Sequence, residues 1–278
     1  MKTYLQTNWD FESDELIEVF DETPLWSAPF GLKLLEDIKY KKGIKALDIG
    51  FGAGFPLTEL AMRLGTTSKV YGIDPWEAAI RRAEKKIKIF GISNIEIIHG
   101  DIENIPLESN SIDLVVSNNG LNNVEDLEQS LMECARISKP GAQFIQTVNL
   151  HETMMEFYSA LEKVFNQLNL TDSIEQMHQH IYKKRKPLDK YLKMIENAGF
   201  TVESVTHDQF NYHFADATAM FNHFFIRLAF IDSWKELVPP EQYEQVFSKV
   251  EEALNKKAEQ EGVLKLSVPF VVIDSRRK

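Results

Sequence analysis

Between residues 44 and 150, short β-branched apolar runs alternate with amphipathic stretches. Residues 44–49 read as a buried strand. Residues 56–64 read as a helix opened by Pro56 in its first turn and closed by Gly65. Residues 69–74 form the next strand, and 76–90 a helix ended by Gly91. Strands follow at 95–99 and 112–117, then a helix at 124–137 and a fifth strand at 142–149 after the Pro140-Gly141 turn. Strands and helices alternating at this spacing predict βαβ units, hence a parallel sheet with helices on both faces. After residue 150 the rhythm changes. A helix is expected at 151–170, a basic stretch at 177–186, a short helix at 187–198 and a strand at 200–210. A wholly helical segment at 215–261 and a last strand at 262–274 complete the chain. The fold class is therefore α/β, a doubly wound sheet with helical insertions at about 151–186 and 211–261. Surplus elements near strand C-termini are where such folds build substrate pockets.

Charge alters this picture only at one end. The net charge of −11 is concentrated in residues 1–24, where seven acids face Lys2 alone. Net acidity without a long basic stripe argues against a nucleic-acid footprint. A single cysteine, Cys134, excludes a disulfide framework and a multi-cysteine metal site, so no metal is expected. The start lacks the apolar run of a signal peptide, and no apolar stretch is long enough to span a bilayer. A cytoplasmic protein without stable membrane association is the expectation. Seven of the 18 phenylalanines fall between residues 200 and 230, which marks that segment for attention.

Candidate chemistry begins where the first strand meets the first helix, at Asp48-Ile49-Gly50-Phe51-Gly52-Ala53-Gly54. Glycines let backbone approach a ligand closely, and the following helix N-terminus offers unpaired N–H groups. A dinucleotide fingerprint would put its third glycine at position 55, which is Phe. Asp48 has no task toward a negative pyrophosphate and suits a ligand with an ammonium group, so an NAD-dependent oxidoreductase is the less favoured alternative. Asp74 ends the second strand, where a carboxylate can accept both hydroxyls of a ribose; the competing reading is a helix N-cap. Asp101, after the third strand, can accept an amino hydrogen from an adenine edge. Three acids at three successive strand ends outline a ligand with an amine, a ribose and an adenine, without a phosphate.

These residues resemble the class I S-adenosylmethionine-dependent methyltransferases, in the quinone-biosynthesis and small-molecule branch. The first motif is Ala46 to Gly54 and the second Val70-Tyr71-Gly72-Ile73-Asp74. Gly100 to Leu107, Ser111 to Ser117 and Leu131 to Ala142 resemble the later motifs. The resemblance implies a Rossmann-like, seven-stranded sheet with the last strand antiparallel, and S-adenosylmethionine as methyl donor. It implies that Asp48, Gly50, Gly52 and Gly54 line the methionine part and Asp74 the ribose. Pro75, Trp76, Asp101 and Ile102 would border the adenine, and Ser117 and Asn118 would approach the methionine end. Trp26 falls where related enzymes fold a helix over the cofactor, although simple packing explains it equally. Three parts follow: an N-terminal helical lid segment (1–43), the cofactor-binding core (44–150), and the completion of the same domain's sheet with substrate-cap insertions (151–278).

Methyl transfer is an in-line displacement, and alignment in a dry pocket contributes roughly 7–11 kcal/mol. A base is needed only where the acceptor must lose a proton. His151, His213 and His223 are the candidate bases; His99 reads as structural, and His178 and His180 as solvated beside the Lys183-Lys184-Arg185-Lys186 run. The Asp/Asn-Pro-Pro-Tyr/Phe tetrapeptide of DNA amino-methylases is replaced after the fourth strand by Ser117-Asn118-Asn119-Gly120. Phe210, Tyr212, Phe214, Phe221 and Phe225 are the expected walls of an acceptor pocket. The expected partner is a small, largely apolar or aromatic molecule methylated on O, N or C, with a homodimer left open. A non-catalytic S-adenosylmethionine-binding protein would leave the same first 150 residues.

Overall fold

The apolar runs of the first half form strands at the expected places. The structure is a computed structural model, and it describes residues 2–6, 9–20 and 26–278. Seven strands, β1 (Lys45–Ile49), β2 (Lys69–Asp74), β3 (Ile95–His99), β4 (Ile112–Asn118), β5 (Ser138–Asn149), β6 (Phe200–Phe214) and β7 (Leu264–Arg277), make one sheet in the order β3-β2-β1-β4-β5-β7-β6. The pairs β1–β2, β1–β4, β2–β3 and β4–β5 are parallel, and β5–β7 is antiparallel. The central strands are apolar on both faces because both faces are covered: Ala46, Leu47, Ile49, Val115 and Val116 are fully buried.

Among the described residues, twelve α-helices accompany the sheet: α1 (Asp14–Phe20), α2 (Ser27–Asp37), α3 (Leu57–Leu64), α4 (Glu77–Phe90), α5 (Leu127–Ile137), α6 (Met155–Gln167), α7 (Thr171–Lys184), α8 (Leu188–Asn197), α9 (Ala217–Asn222), α10 (Phe224–Ile226), α11 (Asp232–Lys235) and α12 (Tyr243–Glu261). Helix α4 stops where expected. Gly91 adopts the left-handed conformation at φ 68° that an L side chain resists. None of the helices among the described residues is long and apolar enough to cross a membrane.

Two boundaries differ from the sequence pattern. The segment expected to be wholly helical at 215–261 is broken at His223, which is extended, and again between α11 and α12. Pro239-Pro240 cannot continue a helix because the ring removes the N–H and crowds the preceding turn. Strand β6 runs four residues past its expected end, which turns the expected insertion residues 211–214 into strand. Part of the N-terminal lid segment expected at 1–43 lies outside the described residues.

The chain divides into two compact units. The first comprises Met1–Trp9, Leu150–Lys186 and Gln209–Pro269, and the second Asp10–Asn149, Pro187–Asp208 and Phe270–Lys278. In the second unit Phe30 stands against Phe270 at 4.7 Å and Phe144 against Phe200 at 4.9 Å between ring centroids. Its acidic N-terminal stretch meets the basic face of α4: Arg81 donates to Asp14 at 3.0 Å and Lys85 to Glu18 at 2.7 Å. The first unit has its own aromatic core, in which Phe221 is ringed by Tyr4, Phe157, Trp234 and Phe247.

Candidate functional site

In the second unit the C-terminal ends of β1, β2 and β4 carry the polar residues singled out in the sequence. Parallel pairing sets Asp48 level with Gly72 on one side and Val116 on the other. Small and apolar neighbours therefore bury the Asp48 carboxylate completely, and neither of its oxygens has a hydrogen-bond partner. Burial, together with the nearby Asp74 carboxylate, pushes its pKa well above the ordinary carboxylate range. A buried carboxylate without a partner is costly and marks a place where a donor group belongs.

The Gly-rich turn is held by Asp74. The Gly52 N–H donates to Asp74 Oδ2 and the Trp76 N–H to Oδ1, both at 2.8 Å. The second contact is an Asx turn just ahead of α4; the N-cap position itself is Trp76 and no side chain caps it, so the capping reading of Asp74 is corrected to a turn that precedes the helix. Each oxygen keeps further acceptor capacity. Burial raises the Asp74 pKa, and those two N–H groups oppose the rise. Past this turn Trp76 is half-buried, its indole N–H donating to the Phe11 carbonyl at 2.8 Å, while Pro75 is exposed. Asp101 is exposed and Ile102 buried beside it. His99 sits against the Pro75 carbonyl at 3.1 Å, in keeping with a structural role.

The turn after β4 completes the group. A Cβ on Gly50 would lie 2.6 Å from the Gly120 Cα, and one on Gly120 only 2.0 Å from the Ile49 carbonyl oxygen. The β1 and β4 turns therefore meet glycine to glycine. Asn119, left-handed at φ 61°, sets up this approach. Ser117 accepts from the Leu121 N–H at 3.2 Å. Asn118 donates to the Ser27 carbonyl and accepts from Thr147, both at 3.0 Å. Asn122 bridges Asn119 and Asn149 at 2.9 and 2.7 Å. Thr147, Asn119, Gly120, Asn122 and Asn149 thus join the site without having been singled out. Only the Asn119-Gly120 dipeptide, a turn signal, pointed to any of them. Trp26 precedes α2 and stacks edge-on with Phe30 at 5.2 Å.

The three candidate histidines, all in the first unit, do not converge. His151 is exposed. His213 is exposed on β6, and the two-residue period of a strand puts it on the face opposite Tyr212 and Phe214. His223 alone meets the aromatic row, 5.5 Å from Phe214. Burial lowers its pKa, and its Nδ1 is buried without a partner. Phe210, Tyr212 and Phe214 share the other face of β6, with Phe225 6.3 Å from Tyr212. The Tyr212 hydroxyl is also buried and unpartnered. Phe221 is fully buried among the aromatic core instead, so its expected place in an acceptor wall is corrected to a packing role. His180, expected to be solvated, is half-buried with Nε2 3.4 Å from the Tyr158 hydroxyl.

A sheet in this strand order, with acids at the ends of its first strands and a glycine turn after β1, is the architecture of the class I S-adenosylmethionine-dependent methyltransferases. The chain belongs to the methyltransferase domain family, whose model matches residues 40–199. It is 37% identical to the demethylmenaquinone methyltransferase of Geobacillus stearothermophilus over 108 residues, 39% of this chain and 46% of that protein. With the Geobacillus kaustophilus enzyme of the same name it shares 34% over 130 residues, 45% and 56% of the two chains. The chain spans about half the length of the curated relatives it matches. In fold it is similar to a putative methyltransferase from Bacillus halodurans, with TM-score 0.59 and 20% identity over 88% of this chain and 97% of that one. It is similar also to geranyl diphosphate methyltransferase, with TM-score 0.56 and 16% identity over 99% and 94%.

Proposed function

We propose that the chain moves a methyl group from S-adenosylmethionine to a small, largely apolar or aromatic acceptor, with a quinone-type ring as the leading class. The observation that carries this reading is Asp48, a fully buried carboxylate with two unpartnered oxygens behind a glycine turn. An ammonium group answers that need, whereas a pyrophosphate would add to the negative charge. The residues fit the remainder of the donor too: Asp74 has acceptor capacity left for ribose hydroxyls, and Asp101 and Ile102 offer an acceptor and an apolar side to an adenine. Bound S-adenosylmethionine supplies a methyl group already activated on a sulfonium. What the chain contributes is binding, alignment and exclusion of water.

The acceptor class rests on the aromatic row of β6 and on the names of the similar curated proteins. Tyr212, Phe214 and Phe225 provide apolar walls, and the Tyr212 hydroxyl and His223 Nδ1 provide two buried polar groups without partners. His223, kept neutral by burial, is the group that would take a proton from an acceptor hydroxyl or activated ring carbon. Calorimetric titration with S-adenosylmethionine, its demethylated product and NAD tests the donor site, and turnover on a demethylated quinone and a panel of phenols tests the acceptor. One-to-one binding of the first two ligands with methylation of a ring acceptor is expected. Binding of NAD alone would overturn the donor assignment, and donor binding without turnover on any ring acceptor would leave a non-catalytic binding protein.

A further inference from the structure

We infer that the first unit carries a separate anion-binding site centred on Arg185, built to take the carboxylate or phosphate group of a small molecule. In the Lys183-Lys184-Arg185-Lys186 run the two leading lysines are exposed, but Arg185 turns inward and is only 7% exposed. Its Nη1 donates one long bond, 3.4 Å, to the Thr153 carbonyl, and its guanidinium lies over the Tyr158 ring at 6.0 Å. Its Nε is buried with no partner, and among the described residues no carboxylate pairs with it. Buried guanidinium groups are ordinarily matched by a carboxylate or a set of carbonyl oxygens, because an unpaired buried charge loses its hydration with nothing in return. The Nε–H and the Nη2–H point the same way and form the two-pronged fork that matches two oxygens of a carboxylate or phosphate.

The surroundings are positive as well. His180, one turn earlier on α7, is pushed down to about 4 by burial and then by Lys184, Arg185 and Lys183. The imidazole is therefore neutral at pH 7, and among the described residues no ion pair joins Arg185 to a carboxylate. An anion at the Arg185 fork would supply a counter-charge.

The test uses the full chain and two probes, acetate and inorganic phosphate, followed through the amide resonances of Thr153 and Tyr158. Saturable shifts are expected, with a midpoint roughly tenfold or more below that of chloride at equal ionic strength, as one charge-assisted bidentate contact would produce. Phosphate binding tighter than acetate identifies a phosphoryl ligand, and the reverse order a carboxylate. R185Q should abolish saturation for both. Should R185Q not fold, R185K serves, since a single ammonium cannot present two parallel donors; roughly tenfold weaker binding is expected. Shifts no different from those with chloride, saturation that survives R185Q, or unchanged affinity in R185K would overturn the assignment.

Discussion

Asp48 concentrates the chemistry of this protein at the scale of one residue. Its place at a strand end beside three glycines was legible in the sequence, but its isolation was not. Isolation depends on Gly72 and Val116 flanking it from strands 24 and 68 residues away, as the register shows. The energetic consequence has a definite sign. A folded-state pKa raised above the unfolded value of about 3.9 means that the ligand-free fold bears the cost of a buried charge at neutral and alkaline pH. That cost disappears as the pH falls through the raised pKa toward the unfolded one. Asp48→Asn is therefore expected to stabilise the ligand-free chain by about 1–3 kcal/mol at pH 8. The gain should shrink toward zero near pH 4. The same substitution should weaken S-adenosylmethionine binding roughly tenfold or more, because it removes the partner of a charged donor. Denaturant melts at several pH values and calorimetry would measure the two effects; a less stable ligand-free variant at pH 8 would contradict the argument.

Among the elements, β6 separates what patterning reveals from what it conceals. Residues 210–214, Phe-Asn-Tyr-His-Phe, alternate apolar and polar with the two-residue period of a strand. That period places Tyr212 with Phe214 and sends His213 to the other side, a division visible in the sequence once the strand is extended to Phe214. The fate of Phe221 was not visible. It stands on α9, and its neighbours Tyr4, Phe157, Trp234 and Phe247 come from four distant parts of the chain. Truncating it opens a cavity in that core, so Phe221→Ala is expected to cost about 3–5 kcal/mol of stability. S-adenosylmethionine affinity of the folded fraction should be unchanged. Tyr212→Phe keeps the ring volume and removes only an unpartnered hydroxyl, so it should leave stability within about 0.5 kcal/mol while lowering turnover on ring acceptors. Denaturation curves and steady-state kinetics on both variants distinguish packing from acceptor contact; equal stability of the two would place Phe221 outside the core.

For the whole molecule, the charge asymmetry now has a structural account. Part of the acidic N-terminal stretch pairs with Arg81 and Lys85 of α4, and at such exposure these pairs contribute little stability each. What remains is a net-negative protein. It is expected to leave the mobility of a duplex DNA or RNA unchanged in a gel at low salt, and a salt-sensitive shift would contradict that expectation. The sequence by itself determined the α/β alternation, the glycine turn and the acids at the strand ends. Those features arise from backbone geometry and local periodicity, which are written in residues close together along the chain. Only the tertiary structure decided which side chains lost their partners and which found a core. The unpartnered Asp48 oxygens, His223 Nδ1, Tyr212 hydroxyl and Arg185 Nε, the glycine-to-glycine contact of Gly50 with Gly120, and the burial of Phe221 all depend on contacts made only in the folded chain. Desolvation and packing are properties of a surrounding shell, and that shell exists only once the chain has folded.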